Sequence, residues 1–188
     1  MVTEIKKNAF KNNKYIKTVT IGKNVKTIGA SAFSGCSKLK TIKIGSSVST
    51  IGDKAFYECN NLTSVKMPDS VTYIGNSAFE SCTKLASVNF GNSELTIGEK
   101  SFYGCSNLTE LTLSNVKSLV NQAFSYTGLT VVDLEYIEDV GISAFAGCSQ
   151  LVTVKMGRGI KSIGTSFYFF YFFVRVHRLF VFFRTVSL

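Results

Sequence analysis

Apolar residues recur along the chain at nearly constant intervals, and phenylalanine marks the interval most clearly. Successive phenylalanines of the pattern lie 23 residues apart as far as Phe102 and then 22, 21 and 22 apart. They are Phe10, Phe33, Phe56, Phe79, Phe102, Phe124, Phe145 and Phe167. A constant period in the low twenties is typical of a solenoid, in which each coil buries its apolar face against neighbouring coils. Roughly seven coils span residues 2 to 164.

The order of apolar and polar positions within one coil predicts its local structure. In the coil at residues 48 to 70, residues 62 to 67 alternate and are rich in β-formers, which predicts a short strand with one inward face. Pro68, or a glycine in other coils, predicts a turn after that strand. A second apolar pair ends at Gly52, and the Ala-Phe-x-x-Cys segment that follows it predicts one helical or 3-10 turn. The predicted fold class is therefore an α/β repeat solenoid with a parallel β ladder.

Composition supports one repeat domain over residues 2 to 166. A chain of 188 residues that is 45% hydrophobic can bury a continuous core. We expect Phe56, Phe79 and Phe102 to be fully buried and to have no role in binding a ligand. Coils without caps at the two ends would expose sheet edges and apolar core, so self-association through these ends is a further possibility.

The last 22 residues, 167 to 188, depart from the repeat. They contain ten aromatic residues and no Lys, Asp, Glu, Asn or Gly. A membrane-spanning segment is disfavoured because Arg175, His177 and Arg178 lie in its middle, and each Arg would cost about 2.5–3.5 kcal/mol. A polar cap is disfavoured by the phenylalanines. The favoured hypothesis is a tail that is out of frame or otherwise not evolved as protein, and an interfacial membrane segment comes second.

The cysteines and the acidic residues do not form a recognisable reactive site. Four of the five cysteines recur at intervals of 23, three residues after Phe, which indicates a core ladder of reduced thiols rather than disulfides or a zinc site. The single histidine, His177, leaves no catalytic triad. Glu135, Glu138 and Asp139 are interpreted as a solvated corner. We expect no enzymatic activity, no metal and no cofactor.

Charge is distributed unevenly along the chain. Residues 1 to 43 contain ten lysines and one acidic residue, a net charge of +9, whereas residues 44 to 164 contain eight basic and eleven acidic residues, a net charge of −3. A basic end can attract acidic glycans, nucleic acid or an anionic membrane. Lysine without interleaved arginine and aromatic residues argues against specific nucleic-acid binding, and a plain solvated face is the favoured interpretation.

The outward positions of the main strand ladder are the candidate binding surface. They alternate with core residues and must face solvent. They are Thr20, Lys43, Lys66, Asn89, Thr112, Asp133 and Lys155. Together with Lys17 and Lys40, which precede the strands, Lys43 and Lys66 would form a basic strip. A row that is merely solvated is at least as good an explanation of this pattern.

Two coils carry the motif of a known repeat family. They are Ile28-Gly-Ala-Ser-Ala-Phe33-Ser-Gly-Cys36-Ser-Lys-Leu39-Lys-Thr-Ile42 and Ile51-Gly-Asp-Lys-Ala-Phe56-Tyr-Glu-Cys59-Asn-Asn-Leu62-Thr-Ser-Val65. The motif resembles the BspA-like class of leucine-rich repeats, and the resemblance covers nearly all of the chain up to Gly164. It implies a right-handed solenoid that binds other molecules, often in surface or secreted proteins that attach to host or matrix molecules.

The resulting functional hypothesis is a binding module for a protein or a glycan, of the surface-adhesin kind. The alternatives are an intracellular interaction scaffold and a truncated fragment of a longer array. Met1 is followed at once by Val2 in phase with the repeat, so we expect no secretory signal before the first coil of the sequence as written. Asn61 and Asn107 each begin an Asn-Leu-Thr acceptor and would carry glycans on export through a eukaryotic route.

Overall fold

The computed structural model describes residues 1–165, so the tail and its proposed interpretations lie outside the described residues. The described chain forms short strands of two to four residues. In chain order they are β1 Glu4–Ile5, β2 Thr18–Thr20, β3 Thr27–Ile28, β4 Thr41–Lys43, β5 Thr50–Ile51, β6 Ser64–Lys66, β7 Tyr73–Ile74, β8 Ser87–Asn89, β9 Thr96–Ile97, β10 Ser118–Leu119, β11 Val131–Leu134, β12 Asp139–Val140, β13 Thr153–Met156 and β14 Ser162–Ile163.

The strands stack in parallel on two faces of a solenoid of about seven coils. Face A consists of β1, β3, β5, β7 and β9, followed by a second sheet of β10, β12 and β14. Face B consists of β2, β4, β6 and β8, followed by the pair β11 and β13. In the first part of the chain each strand residue pairs with the residue 23 positions later, as Thr18 does with Thr41 and Ser64 with Ser87. This register confirms the repeat solenoid that the phenylalanine spacing predicts.

The segment that follows face A consists of β-turns, and no helix occurs within residues 1–165. The amides of Ala32 and Cys36 donate to the carbonyl oxygens three residues earlier, at 3.1 and 3.0 Å. The third residues of these two turns, Ser31 and Gly35, have φ of 54° and 70°, as a type II turn requires. Intervening amides, such as that of Phe33, donate to the next coil. The expected helical or 3-10 turn is therefore replaced by turns, because a left-handed residue on each side of Phe33 cannot continue a right-handed helix.

The core is a column of phenylalanine rings enclosed by aliphatic ladders. Phe56, Phe79 and Phe102 are completely buried, as the sequence predicts. Each ring lies nearly parallel to its neighbours, with centroids 5.1 Å apart between Phe56 and Phe79 and 5.2 Å apart between Phe79 and Phe102. Phe10, in the first coil, is 42% exposed. The column therefore gives the interior coils a continuous apolar interior and leaves its first ring partly open to solvent.

A row of glycines sets the close approach of coils on face A. A Cβ atom at Gly52 would lie 2.7 Å from the backbone nitrogen of Ala30, and one at Gly75 would lie 2.5 Å from that of Asp53. The row consists of Gly29, Gly52, Gly75, Gly98, Gly141 and Gly164. These glycines keep φ outside the positive range. Close packing, rather than left-handed backbone, therefore requires glycine at this position.

Both faces are interrupted in the fifth coil, residues 102–123, when coils are counted from one phenylalanine of the column to the next. Val120 takes the place of the row glycine, and β9 and β10 belong to separate sheets. The amides of Gly98 and Gly141 donate to the carbonyl oxygens of Ile74 and Leu119 in the preceding coils, at 2.8 and 2.7 Å. Within residues 1–165 the amide of Val120 makes no equivalent hydrogen bond to the carbonyl oxygen of Ile97. Because valine carries the Cβ that this packing excludes, the two coils cannot approach as closely. On face B, residues 109 to 113 form no assigned strand between β8 and β11.

No helix within the described 165 residues has the length and apolar character needed to cross a membrane.

Candidate functional site

The predicted outward row lies on face B and faces solvent along most of its length. Its side chains are exposed at every predicted position except Asp133, which is half-buried. Register pairs Thr20 with Lys43, Lys66 with Asn89, and Asp133 with Lys155. The structure thus aligns the row within each of the two sheets of face B, and Thr112 lies in the segment between them that forms no strand. The row's role in binding stays a prediction.

Alternation within each strand orients these side chains. Ile42 and Val65 are 7% and 3% exposed and point into the core, whereas the residues on both sides of them are exposed. Because successive side chains of a strand point to opposite faces, an inward residue forces Thr41 and Lys43 outward together. Each coil of face B therefore presents at least two outward positions, about 6–7 Å apart along the strand.

Six lysines and no acidic residue lie on the first four strands of face B and the residues just before them. These segments are residues 16 to 20, 37 to 43, 60 to 66 and 83 to 89, and we call them the basic face. Its lysines are Lys17, Lys38, Lys40, Lys43, Lys66 and Lys84, all of them exposed. Lys38 and Lys84 were not among the residues singled out from the sequence. Their shared position, five residues after Phe33 and Phe79, is the signal that could have identified them.

The lysines of the basic face have no acidic partner among the described residues. The ion pairs within residues 1–165 join other side chains, such as Lys117 with Glu94 at 3.1 Å and Lys155 with Asp133 at 3.3 Å. Lys84 donates from Nζ to Oδ1 of Asn61 at 2.8 Å, which leaves its charge uncompensated. The basic face is consequently a region of positive charge that the fold does not neutralise.

Acidic residues of the same coils lie on other sides of the solenoid. Asp53 caps the backbone of the next coil, where its Oδ1 accepts from the amide of Asn76 at 2.8 Å. Asp69 accepts from the amide of Asn92 at 2.9 Å in the corner after face B. Glu58 and Glu80 belong to the turn segment. This distribution leaves the basic face with a net positive charge of its own, which favours anionic partners.

The two predicted glycosylation acceptors have different surroundings. Asn107 is exposed, whereas Asn61 is half-buried. Nδ2 of Asn61, the atom that would carry a glycan, donates to the carbonyl oxygen of Ser37 at 2.6 Å. The expected exposure therefore applies to Asn107 and fails at Asn61, because the side chain of Asn61 bridges adjacent coils.

The cysteines are free thiols of the core. Cys59 and Cys82 donate from Sγ to the carbonyl oxygens of Phe33 and Phe56, at 3.2 and 3.1 Å. Burial raises the pKa of Cys59 and Cys82 well above the ordinary thiol value, and it raises the pKa of Cys105 to about 12. Thiols held in the neutral form are poor nucleophiles and poor metal ligands. Residues 1–165 contain no cluster of three side chains suited to holding a metal ion.

Acidic residues of the sixth coil form hydrogen bonds with side chains of the seventh coil. Glu138 accepts from Nζ of Lys161 at 2.6 Å, which raises the pKa of that lysine, and Asp139 accepts from Oγ of Ser162 at 2.6 Å. Both contacts are exposed to solvent, and the one between Asp139 and Ser162 joins β12 to β14 on face A. The interpretation of Glu135, Glu138 and Asp139 as a solvated corner stays a prediction.

An apolar recess of about 560 Å³ lies at the first coil. Its lining includes Val2, Ile5, Phe10 and Ile16. It lies at the end of the solenoid where the sequence suggests an uncapped core, so contact between copies at this end stays a prediction.

The comparisons with known proteins agree with this architecture. A family model described as BspA type leucine rich repeat region matches residues 3–130 and 88–172, with six copies of the repeat. No curated protein sequence matches the chain significantly.

Solved structures of bacterial leucine-rich repeat proteins share the fold. The leucine-rich repeat protein TpLRR of T. pallidum has a TM-score of 0.65 and 26% identity, with 80% of this chain and 72% of that chain covered. A leucine rich cell surface protein of Faecalibacterium prausnitzii A2-165 has a TM-score of 0.56 and 32% identity, over 88% of this chain and 38% of that chain. The pneumococcal vaccine antigen PcpA has a TM-score of 0.54 and 26% identity, over 84% and 36%. The chain thus spans well under half the length of the last two proteins.

Proposed function

Because this chain belongs to the BspA-type leucine-rich repeat family, we propose that it is a non-catalytic module that binds a protein or a glycan through face B, in the manner of a surface adhesin. Repeat proteins of this family are typically interaction modules rather than enzymes. Solenoids bind through extended surfaces that many coils build together. Face B supplies such a surface here.

The basic face is the observation that carries this proposal. The register of β4 with β6 places the exposed Lys43 and Lys66 on neighbouring strands, the other lysines of the basic face lie just before the strands, and the described residues offer none of them an acidic partner. Like charges opposite each other on neighbouring strands are destabilising. An array of this kind is expected where an external anionic group supplies the missing charge.

We propose a cell-surface or secreted location for the module. The support comes from its relatives, since one similar structure is described as a cell surface protein and another as a vaccine antigen. An intracellular scaffold and a fragment of a longer array are the alternatives. Fractionation of the source cells with an antibody against residues 1–165 separates the first alternative from the proposal, since a cytoplasmic signal alone would contradict it.

A binding screen tests the function directly. The full chain is applied to arrays of glycans and extracellular-matrix proteins, together with the triple variant Lys40→Glu, Lys43→Glu and Lys66→Glu. A second triple variant, Lys7→Glu, Lys11→Glu and Lys26→Glu, changes the net charge equally outside the basic face. We expect the wild type and this control to bind the same components and the face-B variant to lose them. Absence of any bound component, or equal binding by all three proteins, would contradict the proposal.

A further inference from the structure

We propose that the basic face binds a linear acidic polysaccharide, whose sulfate or uronate groups pair with its lysines. This inference rests on the proposed function and assigns a chemical class to the ligand. The basic face combines a uniform charge, regular spacing and a polar surface without apolar anchors. Each of these properties favours a charged glycan over a folded protein partner.

Spacing along the solenoid suits an extended polymer. Neighbouring strands of a parallel stack lie about 4.8 Å apart, so four strands extend about 14 Å along the axis. Within that length Lys43 and Lys66 occupy the outward row, and Lys17 and Lys40 lie directly before the first residues of β2 and β4. A chain of sugars that carries an anionic group on each residue or each disaccharide can contact several of these lysines at once. The contacts are individually weak and add along the polymer.

The side chains between the lysines are small and polar. Thr18, Thr41, Ser64 and Ser87 form one continuous row of hydroxyl groups across the four strands. Hydroxyl groups both donate and accept, so they match the hydroxyl groups of sugars. Asn89 extends this polar surface at the end of the outward row. The basic face can therefore hydrogen-bond a polysaccharide between its points of charge contact.

A protein partner would be expected to find an apolar anchor, and the basic face provides none. Protein interfaces draw most of their binding energy from buried aromatic and other large side chains at their centre. Large hydrophobic residues that are exposed within residues 1–165 lie elsewhere, such as Tyr73 on face A and Tyr136 in a later coil. Tyr15, which is 88% exposed, directly precedes the first segment of the basic face, at the coil position that Lys38 and Lys84 occupy. A single exposed ring at one end of the basic face falls short of the central cluster that anchors a protein interface.

Lysine is the sole source of positive charge on the basic face. Arginine recognises carboxylate and phosphate with a rigid bidentate fork, whereas lysine acts as a mobile point charge. Point charges on flexible stems tolerate anionic groups at variable positions along a polymer. Exposed charges are screened by salt, with a Debye length of about 8 Å at physiological ionic strength. Binding should therefore weaken strongly between low and high salt.

In later coils, a lysine on face B has an acidic partner on the neighbouring strand. There Asp133 and Lys155 lie in register and form an ion pair at 3.3 Å, so the row neutralises itself. Lys43 and Lys66 occupy the corresponding places in the basic face without such a partner. The outward positions of the two face-B sheets thus differ in whether neighbouring side chains of the same sheet compensate their charge.

Binding measurements with defined polymers test the inference. The full chain is titrated with dextran sulfate, polygalacturonate, neutral dextran, polyglutamate and a short DNA duplex, at 50 mM and 300 mM salt. We expect both acidic polysaccharides or one of them to bind, neutral dextran not to bind, and polyglutamate and DNA to bind at least tenfold more weakly. The variant Lys40→Glu, Lys43→Glu and Lys66→Glu should lose at least tenfold in affinity, and the control Lys7→Glu, Lys11→Glu and Lys26→Glu less than threefold.

The remaining outcomes would overturn the chemical class of the ligand, the site or this inference alone. Equal binding of polyglutamate or DNA would overturn the chemical class, and equal losses in the two triple variants would overturn the site. If no polysaccharide binds while the array detects a protein ligand lost in the face-B variant, the proposed function stands and this inference fails. Far-ultraviolet circular dichroism and thermal melting confirm that each variant is folded. The neutral triple Lys40→Gln, Lys43→Gln and Lys66→Gln, which introduces no repulsion between protein and ligand, should show a smaller loss in the same direction.

Discussion

The coils before and after the interruption at the fifth coil use the same motif but differ in regularity. In the first block, residues 4–97, the spacing is a constant 23 and both faces form continuous sheets. In the second block, residues 98–163, the spacing falls to 22 and 21, and the sheets restart. Charge follows the same division, since the first block carries lysines without acidic partners on face B, whereas Lys155 and Lys161 of the second block pair with Asp133 and Glu138.

The comparison shows which positions of the motif tolerate change. Phenylalanine continues through both blocks, and ring stacking between Phe102 and Phe124 is maintained at 5.3 Å across the interruption. Replacement of the row glycine by Val120 accompanies the loss of pairing between coils on face A. The aromatic column therefore holds the coils together, whereas glycine determines how closely their backbones approach. A constant coil length is what aligns outward side chains into a usable surface.

The largest expected effect comes from removing an interior ring. Phe79→Ala should lower the free energy of unfolding by about 3–5 kcal/mol, because the ring is fully buried between two others. Phe10→Ala is the matched control. Its ring is 42% exposed, so truncation removes less buried surface and should cost less than half as much. Urea unfolding of both variants measures the difference. Equal losses would contradict a column whose interior rings carry the stability.

Transfer of the irregular residue into the regular block should reproduce the interruption. Gly75→Val places a Cβ within 2.5 Å of the backbone nitrogen of Asp53 and should break the hydrogen bond from residue 75 to Ile51. We expect a loss of about 2–3 kcal/mol in unfolding free energy. Hydrogen exchange should accelerate at the amide of residue 75 and at its neighbours on face A.

The reverse change gives the control for this interpretation. Val120→Gly should slow hydrogen exchange of the residue-120 amide, because the new glycine lets the coil approach Ile97. Overall stability should change little, since a glycine costs about 0.5–1 kcal/mol in backbone entropy and a new hydrogen bond returns a similar amount. An unchanged exchange rate at residue 120 would show that the spacing of the coil, and not valine, opens the sheet.

Alkaline pH should destabilise the protein through its buried thiols. Burial raises the pKa values of Cys59, Cys82 and Cys105 from the ordinary thiol value of 9.0, to about 12 for Cys105. A raised folded-state pKa contributes stability that is fully present below pH 9 and is lost as the pH rises toward the folded value, because only the unfolded chain then ionises. At pH 10 each such thiol should cost about 1.4 kcal/mol.

Urea unfolding under reducing conditions at pH 7.5 and pH 10 measures this loss. Cys82→Thr, which copies the natural replacement at Thr127, removes one of the titrating thiols. It should reduce the loss of unfolding free energy between pH 7.5 and pH 10 by about 1.4 kcal/mol. If the variant kept the full dependence on pH, another group would be responsible for it.

The smallest expected effect concerns the left-handed residues of the turn segment. Glu58 has a φ of 56°, whereas Gly35 and Gly104 occupy the same position in adjacent or nearby coils. Glu58→Gly should stabilise the protein by up to about 1 kcal/mol, because glycine adopts this conformation without the strain of a Cβ. Thermal melting measures the change. Glu58→Ala, which keeps the Cβ but removes the charge, separates the backbone effect from electrostatics and should not stabilise.

Sequence alone was sufficient for the coil and its core but not for the turn segment. Spacing identified the buried column of Phe56, Phe79 and Phe102, because apolar periodicity is a direct consequence of burial. The Ala-Phe-x-x-Cys spacing suits a helical turn and a run of β-turns equally, so it could not distinguish them. Glycine two residues after Phe33, Phe102 and Phe145 was the available indication of left-handed backbone.

The sequence predicted only part of the candidate site, because some of its lysines lie outside the alternating pattern of the strands. Strand alternation located Lys43 and Lys66 on one row, since it depends on local sequence. The contribution of Lys38 and Lys84 depends on how the chain enters each strand, which alternation does not describe. The lack of acidic partners within residues 1–165 is a property of several coils together and became visible once the register was known. Binding by these residues stays a prediction.

Lysine footprinting tests the central claim, that the regular block binds its ligand through the basic face. The protein is acetylated with a limiting amine-reactive reagent, alone and saturated with dextran sulfate, and modification at each lysine is quantified by mass spectrometry. We predict protection of Lys17, Lys40, Lys43 and Lys66, with Lys7, Lys26 and Lys155 modified equally in both samples. Uniform protection of all lysines, or protection centred on Lys155 and its neighbours in the second block, would contradict the account.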